Sequence, residues 1–330
     1  MKTLYEINIL NQPAEWKRLL TIPLPLDLNT LHFKRVIFVG IGSSFWAARF
    51  AEFLWREHHY TTAATITTTT EPISVQSFDF VKSKYVVSDN DMVVVFSHRG
   101  TKTFSMKALE IAKNYGATTI LITGIGSPPN NNADFRIETC AQENCGAFTI
   151  SLTSAITRII QWIGLFDRSI LENFNKAIIS LIEELPFKIQ QLPKFPTKMV
   201  VVGDLIHEIV AHEVALKISE TSYLPVRSFG LEEFLHGPRV TLDKETSLVI
   251  FSSVKEPRRE ALINYARFID CEVLDINEDV FDLPKEFGWL AQLLWGQELA
   301  LELSKELKTN PDTSRGDQHI YKEARNLLSL

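Results

Sequence analysis

Short apolar, β-branched runs recur along the chain and alternate with stretches of helical period. In the first half Arg35–Val39, Met92–Phe96 and Thr119–Ile122 read as strands, and helices are predicted from about Ser44 to Glu57 and over Thr103–Tyr115. These strands are continuous apolar runs, as expected for a parallel sheet covered on both faces. The second half repeats the scheme, with strands at Met199–Val202, Leu248–Phe251 and Glu272–Leu274 and helices from about Leu205 to Glu220 and from Arg259 to Phe268. RVIFVG at 35–40 corresponds to KMVVVG at 198–203, and MVVVFS at 92–97 to SLVIFS at 247–252. The pattern predicts a duplicated α/β chain, each half a mainly parallel sheet flanked by helices in three layers.

Between the halves, Ser154 to about Glu184 is helical by pattern, and Pro186, Pro193 and Pro196 are expected to close it. The expected domains are an N-terminal segment 1–30, a first domain 31–165, a helical linker 166–195, a second domain 196–305 and a tail 306–330. A last helix is expected from about Leu290 to Glu306, followed by NPDTSRGDQHIYKEA, which is polar and carries no core pattern.

Composition narrows the function classes. The 330 residues suffice for two domains with cores of their own. The balance of 34 Lys and Arg against 40 Asp and Glu, net −6, argues against a nucleic-acid footprint, so an anionic ligand needs a local site. Cys140, Cys145 and Cys271 are too few and too irregularly spaced for a disulfide framework, which points to a reducing compartment. No signal peptide and no membrane span is read from the sequence, and a cytoplasmic location is expected.

Gly40-Ile41-Gly42-Ser43-Ser44 follows a strand and opens a helix, where backbone N–H groups and the helix dipole can receive an anion. A dinucleotide fingerprint is the competitor, but Phe45 stands at its last glycine and no acidic residue follows about 20 positions on. A plain tight turn is the other reading. Ser97-His98-Arg99-Gly100-Thr101-Lys102-Thr103 lies after the next strand and before its helix, so both loops reach the carboxyl end of one sheet, where ligands bind in such folds. Arg99 offers a bidentate fork and Lys102 a point charge to a phosphate; the bland alternative is a solvated cationic turn.

In the second half Glu213, Lys217 and Glu220 fall at i, i+4 and i+7, on one face of the predicted helix. An exposed ion pair is the ordinary explanation. The alternative is a carboxylate held beside a lysine as general base for a carbon acid. His236 sits in FLHGPRV, where Gly237 and Pro238 make a rigid turn. His207 and His212 are one residue too far apart for the zinc-binding HExxH face, and no metal is expected.

GIGSSF, FSHRGTK, HEVALKISETSY and EEFLHGPRV, in this order and spacing, resemble the sugar isomerase (SIS) family, and in particular the isomerase part of glucosamine-6-phosphate synthase, over roughly residues 31 to 320. The resemblance implies two tandem SIS-type domains of flavodoxin-like, three-layer form. It implies a hexose-phosphate or amino-hexose-phosphate ligand, with phosphate held by Gly42, Ser43, Ser44 and Ser97 and with His98, Arg99, Gly100, Thr101 and Lys102 in the same loop. Glu220 is then the base between C1 and C2, with Glu213 and Lys217 beside it. His236 opens the sugar ring from the neighbouring subunit of a homodimer, and 310–319 closes over the substrate.

The chain departs from the family at two places. Its phosphate loop has the cations Arg99 and Lys102 where the family's S-Q-S-G-E-T has two hydroxyl donors, and the family's Schiff-base lysine falls at His319, with Lys322 three residues on. No Cys follows Met1 and there is no room for a glutaminase domain before residue 31, so glutamine-dependent synthesis is not expected of these residues. The expected function is aldose–ketose isomerisation, deamination or deglycation of a sugar phosphate without cofactor, and the alternative is a non-catalytic sugar-phosphate sensor.

Overall fold

Strands made of continuous apolar residues stand at the centre of each sheet. In the computed structural model, which describes residues 2–25, 33–62, 70–165, 168–190, 198–253, 256–281 and 283–328, β1 (Arg35–Gly40) and β3 (Asp91–Phe96) are almost wholly buried. They pair in parallel, Val36 opposite Met92 and Val39 opposite Val95. β2 (Glu71–Gln76), β4 (Thr118–Ile125) and β5 (Phe135–Ala141) complete a five-stranded parallel sheet of order β2-β1-β3-β4-β5. The second sheet repeats this order as β7-β6-β8-β9, from β6 (Lys198–Gly203), β7 (Val226–Gly230), β8 (Thr246–Ser252) and β9 (Glu272–Asn277). Both are the flavodoxin-like arrangement, with the reversal of strand order between the first and third strands of each half. The duplication read from the sequence is therefore present in the topology.

The helices are, in chain order, α1 (Leu4–Thr21), α2 (Ser43–Thr62), α3 (Ser77–Lys82), α4 (Thr103–Asn114), α5 (Ile150–Ile163) and α6 (Arg168–Gln190). Then come α7 (Leu205–Ser222), α8 (Leu231–Leu235), α9 (Pro257–Phe268), α10 (Gly288–Glu306) and α11 (His319–Arg325). Val93, Val95, Ile37 and Val39 meet Phe80, Ala108, Leu109 and Ala112 of α3 and α4 in one core. Leu248, Ile250, Val200 and Val202 meet Phe234, Leu262, Ile263 and Ala266 of α8 and α9 in its counterpart. Each fully buried Val, Ile or Leu contributes about 1.5–3 kcal/mol, so these layers dominate the stability of both halves.

The chain divides into two compact units that are discontinuous in sequence. One takes in Asn11–Glu143 and Ile150–Leu171; the other takes in Asn144–Thr149 and Glu172–Leu327 together with the residues up to Leu10. The start of α1 thus belongs with the second sheet. Among the described residues, no helix is long and apolar enough to cross a membrane.

The proline expected to close the helical stretch does not do so. α6 runs through Pro186 to Gln190, because Leu181, Ile182, Leu185 and Ile189 form one buried stripe on both sides of the proline, and burial of that stripe outweighs the lost backbone bond. Pro193 and Pro196 lie outside the described residues. The tail is also more ordered than its polar sequence predicts: Pro311 is buried, and Asp312 accepts hydrogen bonds from Leu4 N and Tyr5 N, both at 2.9 Å, at the start of α1.

Candidate functional site

The loops after β1 and β3 flank the reversal of strand order in the first sheet. Gly40 sits where a Cβ would lie 2.1 Å from the carbonyl oxygen of Ser44, so glycine lets α2 start directly against the strand end. Gly203 has the same relation to His207, again at 2.1 Å, and marks the equivalent turn of the second sheet. Within these turns Gly42 has φ +58° and its counterpart Leu205 has φ +48°, so the second copy holds the left-handed geometry with a residue that is strained there. Ser43 opens α2, with Ser44 next to it in the first turn, as expected of an anion-receiving helix start.

Ser97 is 3 % exposed and lies just beyond β3, in register to follow Val93 and Val95 on the α4 side. Its Oγ has no hydrogen-bond partner among the described residues. Gly100, at φ +64°, turns the chain, its N–H donating to Ser97 O at 2.9 Å, and Lys102 is the residue before α4. Arg99, Thr101 and Lys102 are exposed. A buried hydroxyl, a glycine turn, two cations and a helix start are thus gathered in one loop.

His98 occupies a different place from the others in this loop. Its imidazole is buried and Nε2 accepts from Glu143 N at 2.9 Å, which requires the neutral ring. Burial, followed by the charge of Arg99, lowers its pKa to about 4. The His98 carbonyl accepts from Gly124 N at 2.8 Å and from Gln142 Nε2 at 3.1 Å, and a Cβ on Gly124 would stand 2.6 Å from the imidazole Cε1. His98 is therefore the bracket that fixes the loop's backbone. Glu143, absent from the sequence reading, takes part in the same bracket and accepts from Ser151 Oγ at 2.6 Å at the start of α5.

On α7, Glu213 and Lys217 are completely buried, while the Glu220 side chain is 32 % exposed. Lys217 Nζ lies 3.5 Å from Glu213 Oε1 and is hydrogen-bonded to Glu220 Oε2. This is no solvated surface pair: the ammonium is held inside, and the row opens to solvent at Glu220. Next to it, the Thr221 hydroxyl is 2.9 Å from Lys217 O and 3.0 Å from Ala300 O of α10. Tyr223 ends α7 in the left-handed conformation; its hydroxyl donates to Asn310 O at 3.1 Å and accepts from Arg315 N at 3.0 Å.

His236 follows α8 with its side chain 73 % exposed, and its Nε2 is 2.8 Å from Glu232 Oε1, which also belongs to an ion pair network with Arg258. His319 is 85 % exposed at the start of α11, 3.4 Å from Glu323, and Lys322 is exposed one turn on. His207 and His212 bond to different partners, Gln292 at 2.5 Å and Ser228 at 2.8 Å. None of the three cysteines forms a disulfide.

Residues 31–161 match the model of the SIS domain. Over that stretch, which takes in the whole first sheet, the chain matches an SIS domain. It is 27 % identical over 282 residues to the glutamine–fructose-6-phosphate aminotransferase (isomerizing) of Aquifex aeolicus, an alignment that takes in 77 % of this chain and 45 % of that protein. The chain spans less than half the length of the curated relatives it matches. Among solved structures, glucosamine-6-phosphate deaminase from Thermotoga maritima superimposes with a TM-score of 0.76 at 19 % identity, covering 94 % of this chain and 97 % of that one. Tagatose-6-phosphate ketose/aldose isomerase from Escherichia coli gives 0.74 at 19 % identity, covering 94 % and 95 %. These structural likenesses show a shared fold over 94 % of this chain.

Proposed function

We propose that this SIS protein is a phosphosugar-transforming enzyme that moves a proton between C1 and C2 of a hexose phosphate or amino-hexose phosphate through an enediolate. The observation that carries the reading is the row Glu213–Lys217–Glu220, a buried ammonium bonded to a carboxylate that alone of the three reaches solvent. Glu220 takes the proton from the carbon next to the carbonyl. Lys217 orients that carboxylate and provides positive charge near the oxyanion that develops, and Glu213 holds the ammonium in place. Ser97, Ser43, Ser44 and the first turn of α4 receive the phosphate, with Arg99 and Lys102 as additional cations. His236, exposed and bonded to Glu232, assists ring opening in a homodimer. With histidine at 319, the reaction is written without an imine.

Purified protein incubated in deuterated water with fructose-6-phosphate, glucose-6-phosphate and glucosamine-6-phosphate, followed by NMR of the C1 and C2 protons, tests the reading. Solvent exchange that is lost in Glu220→Gln is expected. Release of ammonia would assign a deaminase. Binding of these sugars with no exchange in the wild type would reject proton transfer and leave a sensor.

A further inference from the structure

The start of α1 has no counterpart in the sequence reading, yet it is tied to the second unit at both its backbone and its first aromatic side chain. Asp312 takes the N–H groups of Leu4 and Tyr5, two of the four donors that a helix start leaves without partners. Tyr5 is completely buried and its hydroxyl donates to Gln297 O of α10 at 3.2 Å. That carbonyl lies between two points where α10 meets α7. A Cβ on Gly296 would lie 2.1 Å from Val214 Cγ2, and Ala300 O lies 3.0 Å from the Thr221 hydroxyl. Val214 and Thr221 each follow one of the two carboxylates, Glu213 and Glu220.

Electrostatics places the phenol near the same row. The Tyr5 pKa is raised well above 10.0, first by burial and then by Cys145, Glu213, Glu220 and Glu298, so the phenol stays protonated beside these groups. The chain that supplies Asp312 is anchored in the same neighbourhood. Thr309 Oγ1 donates to Thr221 O at 2.7 Å, Arg315 lies over the Tyr223 ring at 4.3 Å, and Ser314 packs so closely on Gly146 that a Cβ there would be 2.2 Å from Ser314 Oγ. Residues 309–317 therefore hold the end of α7 and the start of α1 together.

We propose that Tyr5 is a positioning residue for the Glu213–Lys217–Glu220 row, held in place by Asp312, so that the seating of residues 309–317 sets the geometry of the Glu220 carboxylate. This rests on the reading of Glu220 as the base. Tyr5 touches no reacting atom in this scheme. It fixes α10 against α7 and closes that side of the row to water.

The test uses the full chain with Tyr5→Ala, Tyr5→Phe, Asp312→Ala and the double variant Tyr5→Ala/Asp312→Ala, each checked for folding by circular dichroism. Deuterium wash-in at saturating sugar phosphate is compared with binding measured by calorimetry. The expected result is a fall in the exchange rate of about 10- to 100-fold in Tyr5→Ala and Asp312→Ala with Kd nearly unchanged. The double variant should be no slower than the slower single variant, and Tyr5→Phe should lie between Tyr5→Ala and wild type. Wild-type exchange rates in both single variants, or fully additive losses, would overturn the proposal. Should the wild type exchange no sugar, the proton-transfer reading fails and amide hydrogen exchange over 217–223 decides this one. Faster exchange in Tyr5→Ala and in Asp312→Ala supports the coupling, and unchanged exchange overturns it.

Discussion

Replacing Lys217 with methionine removes the charge at the centre of the α7 row while keeping most of the side chain's volume. Across the 3.5 Å between Nζ and Glu213 Oε1, opposite unit charges attract by about 5 kcal/mol at an effective dielectric constant near 20. Dehydrating both groups offsets much of that attraction, so the pair contributes little net stability. Loss of one partner is another matter. Glu213 is fully buried, and its carboxylate would then lack the ammonium beside it, a situation that costs about 3–5 kcal/mol. Glu220 is part-exposed and can turn to water, so it adds little to the loss. Converting Glu213 to glutamine in the same chain removes the stranded charge, and Glu213→Gln/Lys217→Met should recover most of the stability. Urea denaturation followed by circular dichroism measures all three proteins. A loss below about 1 kcal/mol in Lys217→Met, or a double variant no more stable than the single, would refute the description of a tightly buried, mutually dependent pair.

Two further predictions concern pH. His98 titrates near 4 in the folded protein against 6.5 ordinarily, so its contribution is fully present above pH 6.5 and is lost as pH falls toward 4. A difference of that size corresponds to about 3 kcal/mol; His98→Gln should flatten the stability profile over this window, and parallel profiles in urea melts at both ends would contradict it. Glu298 behaves in the opposite sense: burial, the largest cause, raises its pKa to about 7 from 4.5, so its folded form is favoured below pH 4.5 and that advantage is lost as pH rises through 7. Glu298→Gln should match the wild type near pH 4.5 and exceed it by up to about 3 kcal/mol at pH 8; equal melting at pH 8 would show that the carboxyl is better solvated than its burial implies.

The central strands were legible because burial on both faces demands unbroken apolar runs. VIFV, MVVVF, MVVV and LVIF carry that signal by themselves. The flanking strands were not read: EPISVQ, FRIETCA and VRSFG are partly exposed and mix polar with apolar residues, so no period stands out. α1 escaped for a related reason, since Pro13 interrupts it and its best anchor, Asp312, is about 300 residues away in sequence. The acid–lysine row was visible as a helical spacing, but spacing does not tell a solvated pair from a buried one; that difference comes from α10 lying along α7 with Gly296 against Val214. His98 carries the same lesson. Its neighbours in the sequence suggest a ligand loop, whereas Gly124, Gln142 and Glu143 make it the bracket of that loop.

The cap on α1 has a consequence for how the polypeptide is made. Leu4 and Tyr5 are translated long before Asp312, the side chain that receives their amide protons. The first sheet and the helices of its unit, which end by Leu171, are complete some 140 residues earlier, about 7 to 28 seconds of synthesis at 5–20 residues per second. Throughout that interval the opening turn of α1 and the 144–149 crossing have no finished partner to join. A first unit that folds as it is made therefore carries two segments still waiting for their partners, and the cap on α1 closes only once Asp312 has been added.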